Sequence, residues 1–165
     1  MQSARGSQPL NEPTLLVVED DAEMRGFLKK VLETEGIPVL TAATGDDGIQ
    51  QAITNKPDLI LLDLRMPAPD GVAVCKAIRT NKKTEHIPIL VITGSTSREQ
   101  IEGSMTAGAD DLVCKPIDVQ DLCLRVRALL KCKDIADPVE RHQHYGQTVR
   151  QMTEERLPPT RLGGK

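Results

Sequence analysis

Four short apolar runs constrain this chain more than any other feature: Leu15-Leu16-Val17-Val18, Leu59-Ile60-Leu61-Leu62, Ile89-Leu90-Val91-Ile92 and Leu112-Val113-Cys114. A strand with one wet face alternates apolar and polar residues. Continuous runs point instead to strands covered on both faces, as in a parallel sheet. Pro38-Val39-Leu40-Thr41 is a weaker fifth candidate, suited to a sheet edge, where proline forfeits no ladder bond. Between the runs, apolar residues recur at helical spacing, most clearly Met24, Phe27, Leu28, Val31 and Leu32, then Leu122, Val126, Leu129 and Leu130. Shorter helical stretches carry Ile49, Ala52 and Ile53, then Val72, Cys75 and Ile78, then Ile101 and Met105. Strand and helix alternating in this way, with right-handed crossovers, predict an α/β fold: an open parallel sheet with helices on both faces.

The chain has 165 residues, 39% of them hydrophobic, enough for one ordinary domain with tails. Residues 1–13 are polar and read as a flexible N-terminal segment, residues 14–132 as the folded domain, and residues 133–165 as a C-terminal helical extension or linker. In the extension, Asp137-Pro138-Val139-Glu140 has the form of a helix start, with Asp at the N-cap, Pro at the first helical position and Glu at the third. A helix of about five turns before Pro158 is predicted. Its apolar positions, Ile135, Val139, Val149 and Met152, are sparse, and Arg141, Arg150, Glu154, Glu155 and Arg156 are expected to be exposed. Such a helix is marginal alone, so it is expected either to be ordered by a second subunit or output partner or to fray.

A formal net charge of −3 and only two aromatic residues, Phe27 and Tyr145, offer neither the positive field nor the stacking faces that nucleic acid needs. No segment reaches the length of a membrane span, and the polar N-terminus lacks the apolar core of a signal peptide. The reading is a cytoplasmic protein without membrane or direct nucleic-acid partners. Cys75, Cys114, Cys123 and Cys132 form no C-x-x-C pair and are expected to be small buried hydrophobes, not zinc ligands or a redox couple.

In an open parallel sheet, ligands bind outside the carboxyl ends of the strands. The residues that follow the apolar runs are Glu19-Asp20-Asp21, Asp63, Thr93-Gly94-Ser95 and Lys115-Pro116. One rim would thus gather several carboxylates, a hydroxyl and an ammonium. Crowded carboxylates repel, and at neutral pH they call for a cation or raised pKa values. Oxygen donors with room for water suit Mg²⁺. Asp63 could then act as a nucleophile toward a phosphoryl group, whose oxygens Lys115 and Thr93 would stabilise. Gly94 leaves room for a donor to approach. Each residue also has a structural reading: Asp21 suits the N-cap of the helix that begins near Ala22, and a lone Lys or Thr is usually solvated surface.

The residues Leu16-Val17-Val18-Glu19-Asp20-Asp21, Leu61-Leu62-Asp63-Leu64-Arg65-Met66-Pro67-Ala68-Pro69-Asp70-Gly71, Val91-Ile92-Thr93-Gly94 and Val113-Cys114-Lys115-Pro116 resemble the response-regulator receiver domain of two-component signal transduction. The resemblance runs from about Thr14 to Cys132, and its D-x-x-M-P-x-x-D-G block is highly specific. It implies a flavodoxin-like doubly wound sheet of five parallel strands in the order 2-1-3-4-5. It also implies phosphorylation of Asp63 by a histidine kinase or phosphotransfer protein, and a cis Lys115-Pro116 bond. Mg²⁺, or Mn²⁺ in its place, would be held by Glu19, Asp20, Asp63 and the backbone carbonyl of Arg65, and Thr93 and Lys115 would contact the phosphoryl oxygens. The implied activity is signalling, with catalysis limited to the domain's own phosphorylation and dephosphorylation. Arg65 and Ser95 stand where the family tunes phosphoryl lifetime. Two departures stand out. Glu19 replaces the usual Asp, which implies contact to metal through water, and Leu112 replaces the aromatic residue that commonly moves inward on activation.

Two alternatives on the same fold remain open at this point. One is a receiver-like scaffold that works without phosphorylation. The other is an aspartyl-nucleophile phosphatase of the haloacid dehalogenase type, which would need a second Asp where Arg65 stands. A mononucleotide binder is disfavoured because Glu19-Asp20-Asp21 would repel its phosphate.

Overall fold

The computed structural model of the protein describes residues 12–94 and 97–156. Strand and helix alternate as β1 (Leu15–Val18), α1 (Ala22–Thr34), β2 (Val39–Ala42), α2 (Gly45–Asn55), β3 (Leu59–Asp63), α3 (Gly71–Thr80), β4 (Ile89–Thr93), α4 (Arg98–Thr106), β5 (Asp111–Cys114) and α5 (Val119–Lys131). A further helix, α6 (Pro138–Arg156), follows. The strands form one parallel sheet in the order β2-β1-β3-β4-β5, as expected.

The continuous apolar runs have a direct cause in this sheet. Successive side chains of a strand point to opposite faces, and both faces are covered here. On one face Leu15, Val17, Leu59, Leu61, Leu90, Ile92 and Val113 pack against Leu28 and Leu32 of α1 and Leu122, Val126 and Leu129 of α5. On the other, Leu16, Val18, Ile60, Leu62, Ile89 and Val91 pack against Ala52 of α2 and Val74, Cys75 and Ile78 of α3. The register aligns Val18 with both Ala42 and Leu62, Asp63 with Ile92, and Thr93 with Cys114. The strands therefore end near one level, and the residues just beyond them share a rim.

Four helix starts in the sheet domain have a local reason. The side chains of Asp21, Thr44, Asp70 and Asp118 cap α1, α2, α3 and α5 by accepting from backbone amides in the first turn. Asp21 is thus an N-cap, its Oδ1 taking the Met24 amide at 2.7 Å. Gly36, with φ +81°, turns the chain out of α1 toward the edge strand β2.

The tail differs from its sequence reading in one important respect. The helix begins where the capping pattern places it, with the Glu140 amide on Asp137 Oδ1 at 2.8 Å, but it is ordered by this same chain. Tyr145 is buried in the core beneath α5, and Ile135, Val149 and Met152 pack against that cluster. Arg141, expected at the surface, is only 3% exposed. Its Nε and Nη1 donate to Asp110 Oδ1 and to the His86 carbonyl at 3.0 and 2.9 Å. Tyr145 donates to Asp111, which is also paired with Arg125 of α5. Near its other end, Arg156 reaches the carbonyl of Gln120 at the start of α5, so α6 runs back antiparallel along α5. The cysteine reading also needs one correction: Cys75, Cys123 and Cys132 are buried, but Cys114 is exposed. It is the last residue of the edge strand β5.

Candidate functional site

The first β-strand delivers Glu19 and Asp20 to the rim, and the chain there turns at once into α1. The Asp21 amide donates to Glu19 Oε1 at 3.1 Å, folding that side chain inward, and Glu19 is buried while Asp20 is exposed. In the first turn of α1, Arg25 sends Nη1 back to the carbonyls of Glu19 and Asp20, at 2.9 and 3.3 Å.

Asp63, the last residue of β3, is 4% exposed. One carboxylate oxygen from each of Glu19, Asp20 and Asp63 lies within 4.8 Å of the others. Lys115 reaches across from the end of β5, its Nζ 3.1 Å from Glu19 Oε2 and 3.6 Å from Asp63 Oδ1. Burial pushes the Glu19 carboxyl above its ordinary range and the neighbouring Asp63 charge adds to this, while the Asp21 amide and Lys115 work against it. One ammonium faces three carboxylates, so negative charge remains in excess, and every convergent donor is a hard oxygen. This set fits a small divalent cation that keeps part of its water shell.

The segment after Asp63 shows why its residue types are needed. Arg65 is exposed, and its amide donates to Asp63 Oδ1 at 3.3 Å. Met66 is buried in the core on the α3 side and anchors the loop. Ala68-Pro69 and Lys115-Pro116 are both cis, the second as the resemblance implied. Asp70 caps α3, accepting from the Ala73 amide at 2.9 Å. Gly71 is required by space: a Cβ there would lie 2.6 Å from the Leu64 Cα and closer still to the Asp63 carbonyl oxygen.

Thr93 is fully buried at the end of β4, and its carbonyl accepts the Lys115 amide at 2.8 Å. A Cβ on the exposed Gly94 would touch only the Lys115 stem, at 3.8 Å or more. Ser95 lies outside the described residues. Leu112 is half-buried on β5, packed against the cluster under α3. The structure thus brings Glu19, Asp20, Asp63, Thr93 and Lys115 to one rim, with Arg65 at its edge. Sequence reasoning missed Arg25, whose signal was a cation in a first helical turn, where the helix dipole favours anions. It also missed the group formed by Asp110, Asp111, Arg79, Arg125, Arg141 and Tyr145 at the opposite end of β5.

Comparison with known proteins settles the family. The family model for the response regulator receiver domain matches residues 15–127. The chain belongs to the response regulator receiver domain family. ResD, a transcriptional regulatory protein of Bacillus subtilis (strain 168), is 40% identical over 121 residues, which are 73% of this chain and 49% of ResD. The chain spans about half the length of the curated relatives it matches. Among solved structures, the receiver domain of the Francisella response regulator 1452 is 33% identical with a TM-score of 0.65, covering 72% of this chain and 97% of that one. The CheY-like receiver domain protein from Methanospirillum hungatei JF-1 is 27% identical with a TM-score of 0.71, covering 75% and 98%. The role of this receiver is that of a phosphoryl-accepting signalling domain. Among the described residues, no helix is long and apolar enough to cross a membrane.

Proposed function

We propose that Asp63 is the phosphoryl acceptor and that Glu19, Asp20, Asp63 and the Arg65 carbonyl hold Mg²⁺ or Mn²⁺. The observation that carries this reading is the buried Asp63 carboxylate, with the Lys115 ammonium 3.6 Å away and the Glu19 and Asp20 carboxylates grouped around it. An Asp63 oxygen forms the bond to phosphorus as the bond to the donor's leaving group breaks, and the leaving group takes a proton. A bound divalent ion supplies charge neutralisation for the phosphoryl oxygens. Lys115 exchanges its contacts with Glu19 and Asp63 for the arriving oxygens, and the Thr93 hydroxyl donates to another. Transfer is mostly positioning and charge stabilisation, which fits the carboxylates, hydroxyl and ammonium gathered on this rim. Catalysis in this reading stops at the domain's own phosphorylation and dephosphorylation, since the exposed Arg65 stands where a dehalogenase-type phosphatase needs its second Asp.

The donor in this reading is a histidine kinase or phosphotransfer protein. An apolar surface beside the rim supports protein docking there: Phe27 of α1 and Val119 of α5 are 42% and 39% exposed, and a groove lined by Phe27, Val31 and Val119 adjoins a second that reaches Lys115. The receiver unit is residues 14–132, with residues 133–165 as the extension toward a second subunit or output partner. The net charge of −3 supports a chain that makes no direct nucleic-acid contact, and its free cysteines support a reducing, cytoplasmic setting.

The test is to incubate the purified chain with Mg²⁺ and a small phosphoryl donor such as acetyl phosphate and to weigh the intact protein. One phosphoryl adduct is expected, absent in Asp63→Asn and without Mg²⁺. The Glu19→Gln, Asp20→Asn double variant should need far more metal while keeping its fold. A stable, Mg²⁺-dependent adduct on Asp63→Asn would sink the assignment.

A further inference from the structure

We propose that Arg25 is a positioning residue for the divalent-metal site, fixing the turn from which Glu19 and Asp20 present their carboxylates; this rests on the metal site proposed above. The chain leaves the sheet at Val18 and enters α1 at Ala22, so the two metal-facing carboxylates sit on a short turn between two rigid elements. After the Glu19 amide bonds to the Ala42 carbonyl of β2 at 3.1 Å, the carbonyls of Glu19 and Asp20 pass beyond the strand ladder. Arg25 takes both with one nitrogen, at 2.9 and 3.3 Å. That bridge clamps the peptide between the two residues, and the Asp21 amide on Glu19 Oε1 ties the side chain into the same turn.

The placement of Arg25 argues that the helix itself is not the reason for it. The first turn of α1 carries Asp21 at its cap and Glu23 within it, the charges a helix N-terminus favours, whereas a cation there opposes the dipole. A guanidinium holds the two hydrogens of each terminal nitrogen in one rigid plane, so Nη1 alone can aim one hydrogen at each carbonyl. A lysine has the same charge but bonds as a compact, flexible point. Groups that orient metal ligands commonly change metal affinity by roughly 10- to 100-fold when removed.

The test compares Arg25→Lys, which keeps the charge and loses the rigid plane of donors, with Arg25→Met, which keeps the stem and loses both. Mn²⁺ binding to the full chain is read from the electron paramagnetic resonance signal of the free ion, and folding from circular dichroism in chelator. Both variants are expected to bind Mn²⁺ at least about tenfold more weakly than the parent while remaining folded. If Arg25 acted only through its charge, Arg25→Met would bind the cation more tightly and Arg25→Lys would match the parent; either result overturns the proposal. An Arg25→Lys chain that fails to fold also overturns it, because the residue would then serve stability first. A parent chain that binds no Mn²⁺ would sink the metal site itself, an outcome distinct from a binding parent with unchanged variants.

Discussion

Replacing Arg141 with methionine should release α6 from the sheet end, and the structure sets the size of the effect. The guanidinium is 3% exposed and donates to Asp110 Oδ1 and to the His86 carbonyl. Breaking one side of a buried ion pair usually costs about 3–5 kcal/mol, because the partner stays charged without compensation. Here Asp110 would keep two donors on its other oxygen, Arg79 Nη2 at 2.9 Å and the Ile89 amide at 2.8 Å. His86 is exposed, so water can take over its carbonyl. Methionine fills most of the volume, so no large cavity adds to the loss. The expected cost is therefore below that range, about 2–3 kcal/mol, or a drop in melting temperature of roughly 5–10 °C for a chain of this size. Urea titration followed by circular dichroism measures the first quantity. Hydrogen exchange should show α6 amides losing protection ahead of the sheet. A loss under about 0.5 kcal/mol with unchanged α6 protection would refute the reasoning and leave the apolar contacts of Tyr145, Val149 and Met152 as what holds the helix.

Tyr145 gives a spectroscopic prediction, since it is the only tyrosine and there is no tryptophan. Burial and its bond to Asp111 raise its phenol above the ordinary value, so the folded state favours the protonated form. That contribution is complete below the unfolded pKa of about 10 and is lost as pH rises toward the folded value. Tyrosinate absorbance should therefore appear above about pH 10 only together with loss of helical dichroism; tyrosinate forming at its ordinary pH in a native chain would contradict this. Gly71→Ala should force the Asp63–Leu64 backbone aside, destabilising the chain by about 1–3 kcal/mol and lowering the phosphoryl yield from acetyl phosphate, and a variant equal to the parent in both respects would show that the loop yields freely.

The sheet and its rim were legible because one physical rule fixed each. Burial on both faces makes central strands such as Leu59–Asp63 apolar up to their last residue, and the polar residue stands where the strand ends, as Asp63 and Thr93 do. The docking of α6 was not legible, because the residues that bury it are polar. Arg141, Tyr145, Thr148 and Met152 fall on one helical stripe, and the first three are buried, yet hydropathy counts Arg and Thr as surface. Their partners, Asp110 and Asp111, stand just before the apolar run that begins at Leu112. Three arginines converge on that pair from α3, α5 and α6, a match that sequence spacing cannot reveal, because the residues lie far apart in the chain.

The antiparallel return of α6 carries the chain from one end of the sheet to the other. It starts near the foot of the sheet, where α5 ends at Lys131 and where Asp110 and Asp111 stand at the start of β5. Nineteen helical residues cover about 28 Å, nearly the depth of a small domain, and they bring Arg156 back to Gln120 at the head of α5. Gln120 follows closely on Lys115-Pro116, so α6 ends on the side that carries Asp63. The helix is thus a fixed strut that ties the charged group at Asp110 and Asp111 to the opposite end of α5.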